Sequence, residues 1–242
     1  MITLILSAPV KEMAEAFKRV FANAANVNIV GKPFEAIREF DCMVSAANSF
    51  GLMDGGVDAA ITAFFGAQLQ SRVQNHILRE YLGEQPVGSA FVIETGHNHH
   101  PWLVHAPTMR VPLTIDGTDA VYNATWAALL AIFQHNKNAT TDRKIKTVVF
   151  PAMGAGCGQV PFESVARQMK QAWDNFNKKK KQLTGNMHNL ASRQYLAHMH
   201  TVQVILFAVM RILNILAVAI PGRIAHVQGR SVLTLNIRLM MY

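Results

Sequence analysis

The sequence predicts an α/β layered domain with a mainly parallel or mixed sheet over residues 1–177. An atypical basic, hydrophobic tail follows over residues 178–242. Three observations carry this reading. Strand-like and helix-like runs alternate through the first 177 residues, which is the rhythm of layered α/β domains. Two glycine-containing loops each follow a strand-like run and precede a helix-like one. In a parallel sheet such loops emerge on one rim, beyond the carboxyl ends of the strands, where these sheets bind ligands. Charge divides at the same boundary: residues 1–177 hold 14 Lys and Arg with all 15 Asp and Glu, whereas 178–242 hold 9 basic residues and no acid. The formal net charge of +8 therefore belongs to the tail, and nothing in the body points to nucleic acid as a required partner.

In chain order, residues 2–7 form a short β-branched run. Over 10–22 the apolar Met13, Phe17, Val20 and Phe21 recur at helical spacing. Residues 27–30 read as a second strand, and 41–47 (DCMVSAA) as a buried strand ending in Asn48. A long helical stretch spans 57–81. Residues 90–94 (AFVIE) and 102–106 (WLVHA) are two more strands, joined by the polar loop 95–101. Residues 118–135 are amphipathic, with Asp119 in the first turn, where an acid suits the helix dipole. A strand at 145–150 (IKTVVF), a loop at 154–158 and a helix over 161–176 opening on Pro161 complete the body.

Half of the residues are apolar, with 15 glycines and 9 prolines, so the chain is neither disordered nor collagen-like. Its two cysteines, Cys42 and Cys157, make neither a disulfide framework nor a four-ligand zinc site. Residues 1–8 have no basic region and do not read as a secretory signal, so a cytoplasmic, reducing compartment is expected.

The first loop, from Ser45 through Asn48 and Asp54-Gly55-Gly56-Val57-Asp58 to Ile61, has chemistry suited to a phosphorylated sugar. Asn48 at a strand end offers a donor and an acceptor to sugar hydroxyls. Gly55 and Gly56 before a helix let backbone N–H groups approach a phosphate, aided by the dipole. Asp-Gly-Gly is also an ordinary turn, and Asp58 an ordinary helix-start acid. The second loop runs from Pro151 to Pro161, with Gly154, Gly156 and Gly158 alternating, a pattern that makes an anion-binding nest of N–H groups. It meets a dinucleotide fingerprint only in part, lies late in the chain, and lacks an acid about 20 residues on outside a helix. A nicotinamide cofactor is disfavoured, and no cofactor is expected.

Taken together, SAAN-x5-DGGVDAAI, the strand with VHAP, and VVFPAMGAGCG before a helix resemble the macrodomain family over roughly residues 1–177. Asn48, Gly55, Gly56, Val57, Asp58 and Ile61 match its first motif, and Gly154, Gly156 and Gly158 its diphosphate loop. Ser45 stands where the family commonly has Asn, Asp54 where Gly is common, and Thr62 where His follows Ile. The resemblance implies a three-layer α/β/α fold with a mixed central sheet that binds ADP-ribose or an ADP-ribosylated protein. The implied ligand-binding residues are Asn48, Asp54, Gly55, Gly56, Val57, Met153, Gly154, Ala155, Gly156, Cys157 and Gly158. Asn48 would hold the distal ribose, and Asp58 would orient that ribose or a catalytic water; these two are the implied catalytic residues. The implied activity is hydrolysis of ADP-ribosyl bonds or of esters such as O-acetyl-ADP-ribose, the alternative being a non-catalytic ADP-ribose-binding module. Many family members carry Gly-Asp-Ile after the second strand to contact adenine. Here Gly31-Lys32-Pro33-Phe34-Glu35 leaves Phe34 to stack on the base or join the core, and Glu35 to reach its edge.

His97, His99 and His100 lie within four residues but lack a nearby Cys or acid, so this reads as a solvated loop at the cleft rim, with no metal site expected. His105 reads as a satisfied core histidine, and Cys157 as a small packing residue. In the tail, residues 202–220 are apolar except Gln203, Arg211 and Asn214. That length approaches the ~20 residues needed to cross a bilayer, but a central Arg211 costs about 2.5–3.5 kcal/mol on insertion. The tail thus reads as membrane-associated through 202–220, as disordered, or as translated out of frame.

Overall fold

A computed structural model describes residues 2–178. The chain beyond Lys178, including the stretch 202–220, lies outside the described residues. Strands β1 (Thr3–Ser7), β2 (Val27–Val30), β3 (Cys42–Asn48), β4 (Phe91–Glu94), β5 (Trp102–Met109) and β6 (Thr147–Phe150) alternate with helices. These are α1 (Lys11–Val20), α2 (Gly56–Phe65), α3 (Gln68–Tyr81), α4 (Ala120–Asn138) and α5 (Phe162–Asn177). The sheet order is β2-β1-β6-β3-β5-β4. All neighbours are parallel except β4, which pairs antiparallel with β5 at the sheet's end. The expected mixed-sheet α/β fold is what forms.

Alternation along the strands sets the layers, because successive side chains point to opposite faces. Leu4, Leu6, Cys42, Val44, Val104, Val148 and Phe150 face a core shared with α1, α4 and α5. Ile5, Met43, Leu103 and Val149 face a second core with α2, α3 and a 3₁₀ turn at Phe34–Ala36. Phe17, Leu6 and Phe150 are fully buried, each stabilising the fold by about 1.5–3 kcal/mol.

The expected long helix over 57–81 is two helices. Gly66, at φ +93°, terminates α2 with its N–H bonded to the Thr62 carbonyl, and α3 begins two residues later. Glycine takes that conformation without a Cβ clash. The strand expected over 102–106 extends to Met109, because β3 supplies pairing partners as far as Asn48. Among the described residues no helix is long and apolar enough to cross a membrane.

Candidate functional site

β3 and β6 are adjacent and parallel, so the loops leaving their carboxyl ends rise on the same rim. Both loops line one cavity of about 710 Å³, whose walls also include Ser7, Phe34, Glu35, Thr108 and Met109. That volume is in the range of small-molecule sites, ~300–1,000 Å³. A larger and shallower groove of about 950 Å³ lies between β4 and the second half of α4. It holds neither glycine loop, so size alone does not identify the site.

The first loop is organised by side chains. Asn48 Oδ1 accepts the N–H groups of Phe50 (3.1 Å) and Leu52 (3.2 Å), and Nδ2 donates to the Leu52 carbonyl at 2.7 Å. Thr62 Oγ1 donates to the Met53 carbonyl at 2.9 Å, and the Met53 N–H donates to Gln70 Oε1 at 2.8 Å. These bonds hold Asp54, Gly55, Gly56 and Val57 on the cavity wall. No carbonyl of the described residues accepts from the N–H groups of Gly55, Gly56 or Val57, as expected for the first turn of a helix.

Asp58 lies in the first turn of α2. It lines the cavity yet is only 5% exposed. Ser45 Oγ, from the middle of β3, donates to Asp58 Oδ1 at 2.6 Å. Burial pushes the Asp58 carboxyl up to about 6; the Ser45 bond pulls it down, and the nearby Asp54 pushes it up again. A carboxyl poised there changes protonation near neutrality, as a general base must.

The second loop is organised by close backbone packing. Gly154 sits at φ +76°, and a Cβ on Gly158 would lie 2.5 Å from the Gly154 carbonyl oxygen. The Gly158 carbonyl accepts from the Ile115 N–H, and the Gly154 carbonyl from Val160. The N–H groups of Gly156, Cys157 and Gly158 find no carbonyl among the described residues, and all three residues line the cavity. Two sets of unengaged N–H groups therefore border one space. Among the described residues no Lys or Arg lines it, while Glu35, Asp54 and Asp58 do. An anion held here is held by backbone amides.

Every residue expected to bind ligand lines the cavity except Met153, which is fully buried in the core with Ile115 and Val160. Its place between the β6 end and Gly154 turns the side chain inward. Cys157 is exposed on the cavity wall rather than packed. Phe34 joins the core: its ring is 3% exposed and packs 5.4 Å from Phe64, while the residue also forms part of the cavity wall. The histidine loop is not a freely solvated one. His100 is buried, stacks on Phe40 at 3.8 Å and bonds the Phe40 carbonyl through Nδ1 at 2.8 Å. His97 Nδ1 accepts the N–H groups of His99 and His100, each at 3.2 Å. Among the described residues no group of three His, Cys, Asp or Glu side chains is placed to hold a metal. His105 is buried, with Nδ1 paired to Gln85 Oε1 at 2.6 Å; Nε2 has no partner among the described residues, and burial lowers the pKa of the ring to about 3. Sequence reasoning missed the Ser45–Asp58 bond, since a strand serine 13 positions before a helix acid carries no local signal. It also missed the loop-holding roles of Thr62 and Gln70.

A family model described as Macro domain matches residues 44–169. A protein of Aquifex aeolicus is 34% identical over 142 residues, which span 57% of this chain and 76% of that protein. A macro domain-containing protein of Caldanaerobacter subterraneus subsp. tengcongensis is 28% identical over 130 residues, 54% of this chain and 69% of the relative. Among solved structures, the macrodomain of Mycobacterium tuberculosis DarG is similar with a TM-score of 0.48 and 18% identity, covering 57% of this chain and 84% of that one. The Oceanobacillus iheyensis macrodomain with ADP gives 0.48 and 22%, covering 58% and 72%.

Proposed function

Because the chain belongs to the macro domain family, we propose that its cavity takes ADP-ribose or an ADP-ribose derivative, free or attached to protein. The observation that carries this reading is the pair of N–H cups, at Gly55–Val57 and at Gly156–Gly158, bordering one cavity that no cationic side chain of the described residues lines. A diphosphate is the anion that two such cups can share. Phe34 and Glu35 on the same wall are suited to the adenine end. Asn48 and Asp58 are suited to the distal ribose.

We further propose hydrolysis of an ADP-ribosyl bond or an ADP-ribose ester. The diphosphate anchors the substrate, and orientation of this kind contributes a large part of a catalysed rate. Asp58, ionised above pH about 6, takes the proton of a water that attacks the anomeric carbon or the ester carbonyl. The bond to the departing group then breaks as Asp58 returns the proton to it: the modified side chain leaves the anomeric carbon, or the ribose oxygen leaves the ester carbonyl, and ADP-ribose is released. On this account turnover rises as pH passes about 6 and then levels. A second reading, binding without turnover, is favoured by one observation. Asn48 has three of its four amide hydrogen-bonding positions engaged by its own loop, leaving one N–H for the sugar.

Calorimetric titration with ADP-ribose, AMP and NAD tests the binding proposal. ADP-ribose is expected to bind more tightly than AMP, and absence of binding contradicts it. Incubation with mono-ADP-ribosylated protein or O-acetyl-ADP-ribose separates the two readings. Product absent from an Asp58→Ala control supports hydrolysis. Tight binding with no product selects the binding module.

A further inference from the structure

We infer that Ser45 is a positioning residue, whose hydroxyl holds the Asp58 carboxylate in one orientation against the cavity. The inference rests on the reading of Asp58 given above. Ser45 lies on the α2-facing side of β3, between Met43 and Ala47, and is fully buried. Its only hydroxyl proton goes to Asp58 Oδ1 at 2.6 Å. The bond crosses from β3, whose Ala46 and Ala47 line the cavity, to Asp58 in the first turn of α2, which lines it too. The remaining acceptor capacity of the carboxylate is left to whatever fills the space Asp58 lines.

The surroundings give that bond its importance. Asp54 on the loop before α2 and Glu35 after β2 are the other acids of the cavity, and the Cys157 thiol stands on the second glycine loop. On the sheet side, His105 of β5 is in register with Ser45 and is kept uncharged by burial. Among the described residues no cationic side chain lines the cavity. A hydroxyl donated to the charged form is thus what offsets burial and acid repulsion at Asp58. Without it the carboxyl ionises later and is free to turn.

The test follows the Asp58 carboxyl carbon by NMR through a pH titration of the full chain. Wild type, Ser45→Ala and Ser45→Cys are compared, with Asp58→Asn identifying the resonance. The thiol nearly preserves volume but donates weakly. Both Ser45 variants are expected to raise the midpoint by about one pH unit, and to displace the pH dependence of turnover equally. An unchanged midpoint overturns the inference. So does a Ser45→Cys midpoint equal to wild type beside a shifted Ser45→Ala, which would assign the effect to packing. If Ser45→Ala does not fold, Ser45→Cys decides. If wild type binds no ADP-ribose at any pH, the proposed function fails, while the midpoint, which needs no ligand, still judges Ser45.

Discussion

The two glycine loops border the same cavity but are built by opposite means. In the second, glycine is required by the protein itself: a Cβ on Gly158 meets backbone at 2.5 Å, and one on Gly154 meets Val121 at 2.9 Å. In the first, a Cβ on Gly55 or Gly56 meets nothing within 4 Å, so that only the left-handed backbone of Gly56, at φ +56°, asks for glycine, and the loop's shape comes from Asn48, Thr62 and Gln70 side chains. Gly156 is the exception inside the second loop, since a Cβ there also meets open space. The lesson is that a glycine motif mixes two demands, one from the fold and one from the ligand. Geometry separates them where composition does not.

Substitutions sharpen this contrast. The largest effect is expected at Gly158→Ala, where overlap with the Gly154 carbonyl and with Ile115 costs about 3 kcal/mol of stability, read by denaturant unfolding. Unchanged stability would mean the second loop relaxes easily and the contrast is false. Gly156→Val, in open space on the cavity wall, is expected to leave unfolding unaltered and to weaken ADP-ribose on the order of 100-fold. Equal loss of stability would erase the distinction between the two glycines.

Asp58→Asn tests the acid that follows the first loop. The folded carboxyl, raised from 3.8 to about 6, stabilises the fold fully below pH 3.8 and loses that contribution as pH rises through about 6. The substitution is therefore expected to stabilise the protein at pH 8 by about 2 kcal/mol, with the gain fading below pH 4, while turnover is lost. No gain at pH 8 contradicts the burial account. The smallest effect is expected at Thr62→Ala, which removes one loop-holding hydrogen bond for about 1 kcal/mol. Its counterpart in amide exchange is faster opening of the first loop alone.

Much of the fold was legible because strand runs, apolar spacing and turn residues are local signals. The missed break at Gly66 was visible as a glycine, but helical periodicity continued on both sides of it. The convergence of the loops was legible from topology, since parallel strands put their ends on one rim. What escaped was the direction of individual side chains. Met153 sits inside the motif yet points to the core. Asn48 sits at the strand end with its amide turned back into its own loop. Ser45 looked only like a departure from the family pattern until Asp58 was found 2.6 Å away. Each depends on partners distant in sequence, which spacing does not encode.

The central claim is that both N–H cups serve one ligand. An amide NMR titration with ADP-ribose reads both directly, at Gly55, Gly56 and Val57 and at Gly156, Cys157 and Gly158. The account predicts that both groups shift together along a single binding curve. Shifts confined to one group, or two curves of different midpoint, would contradict it.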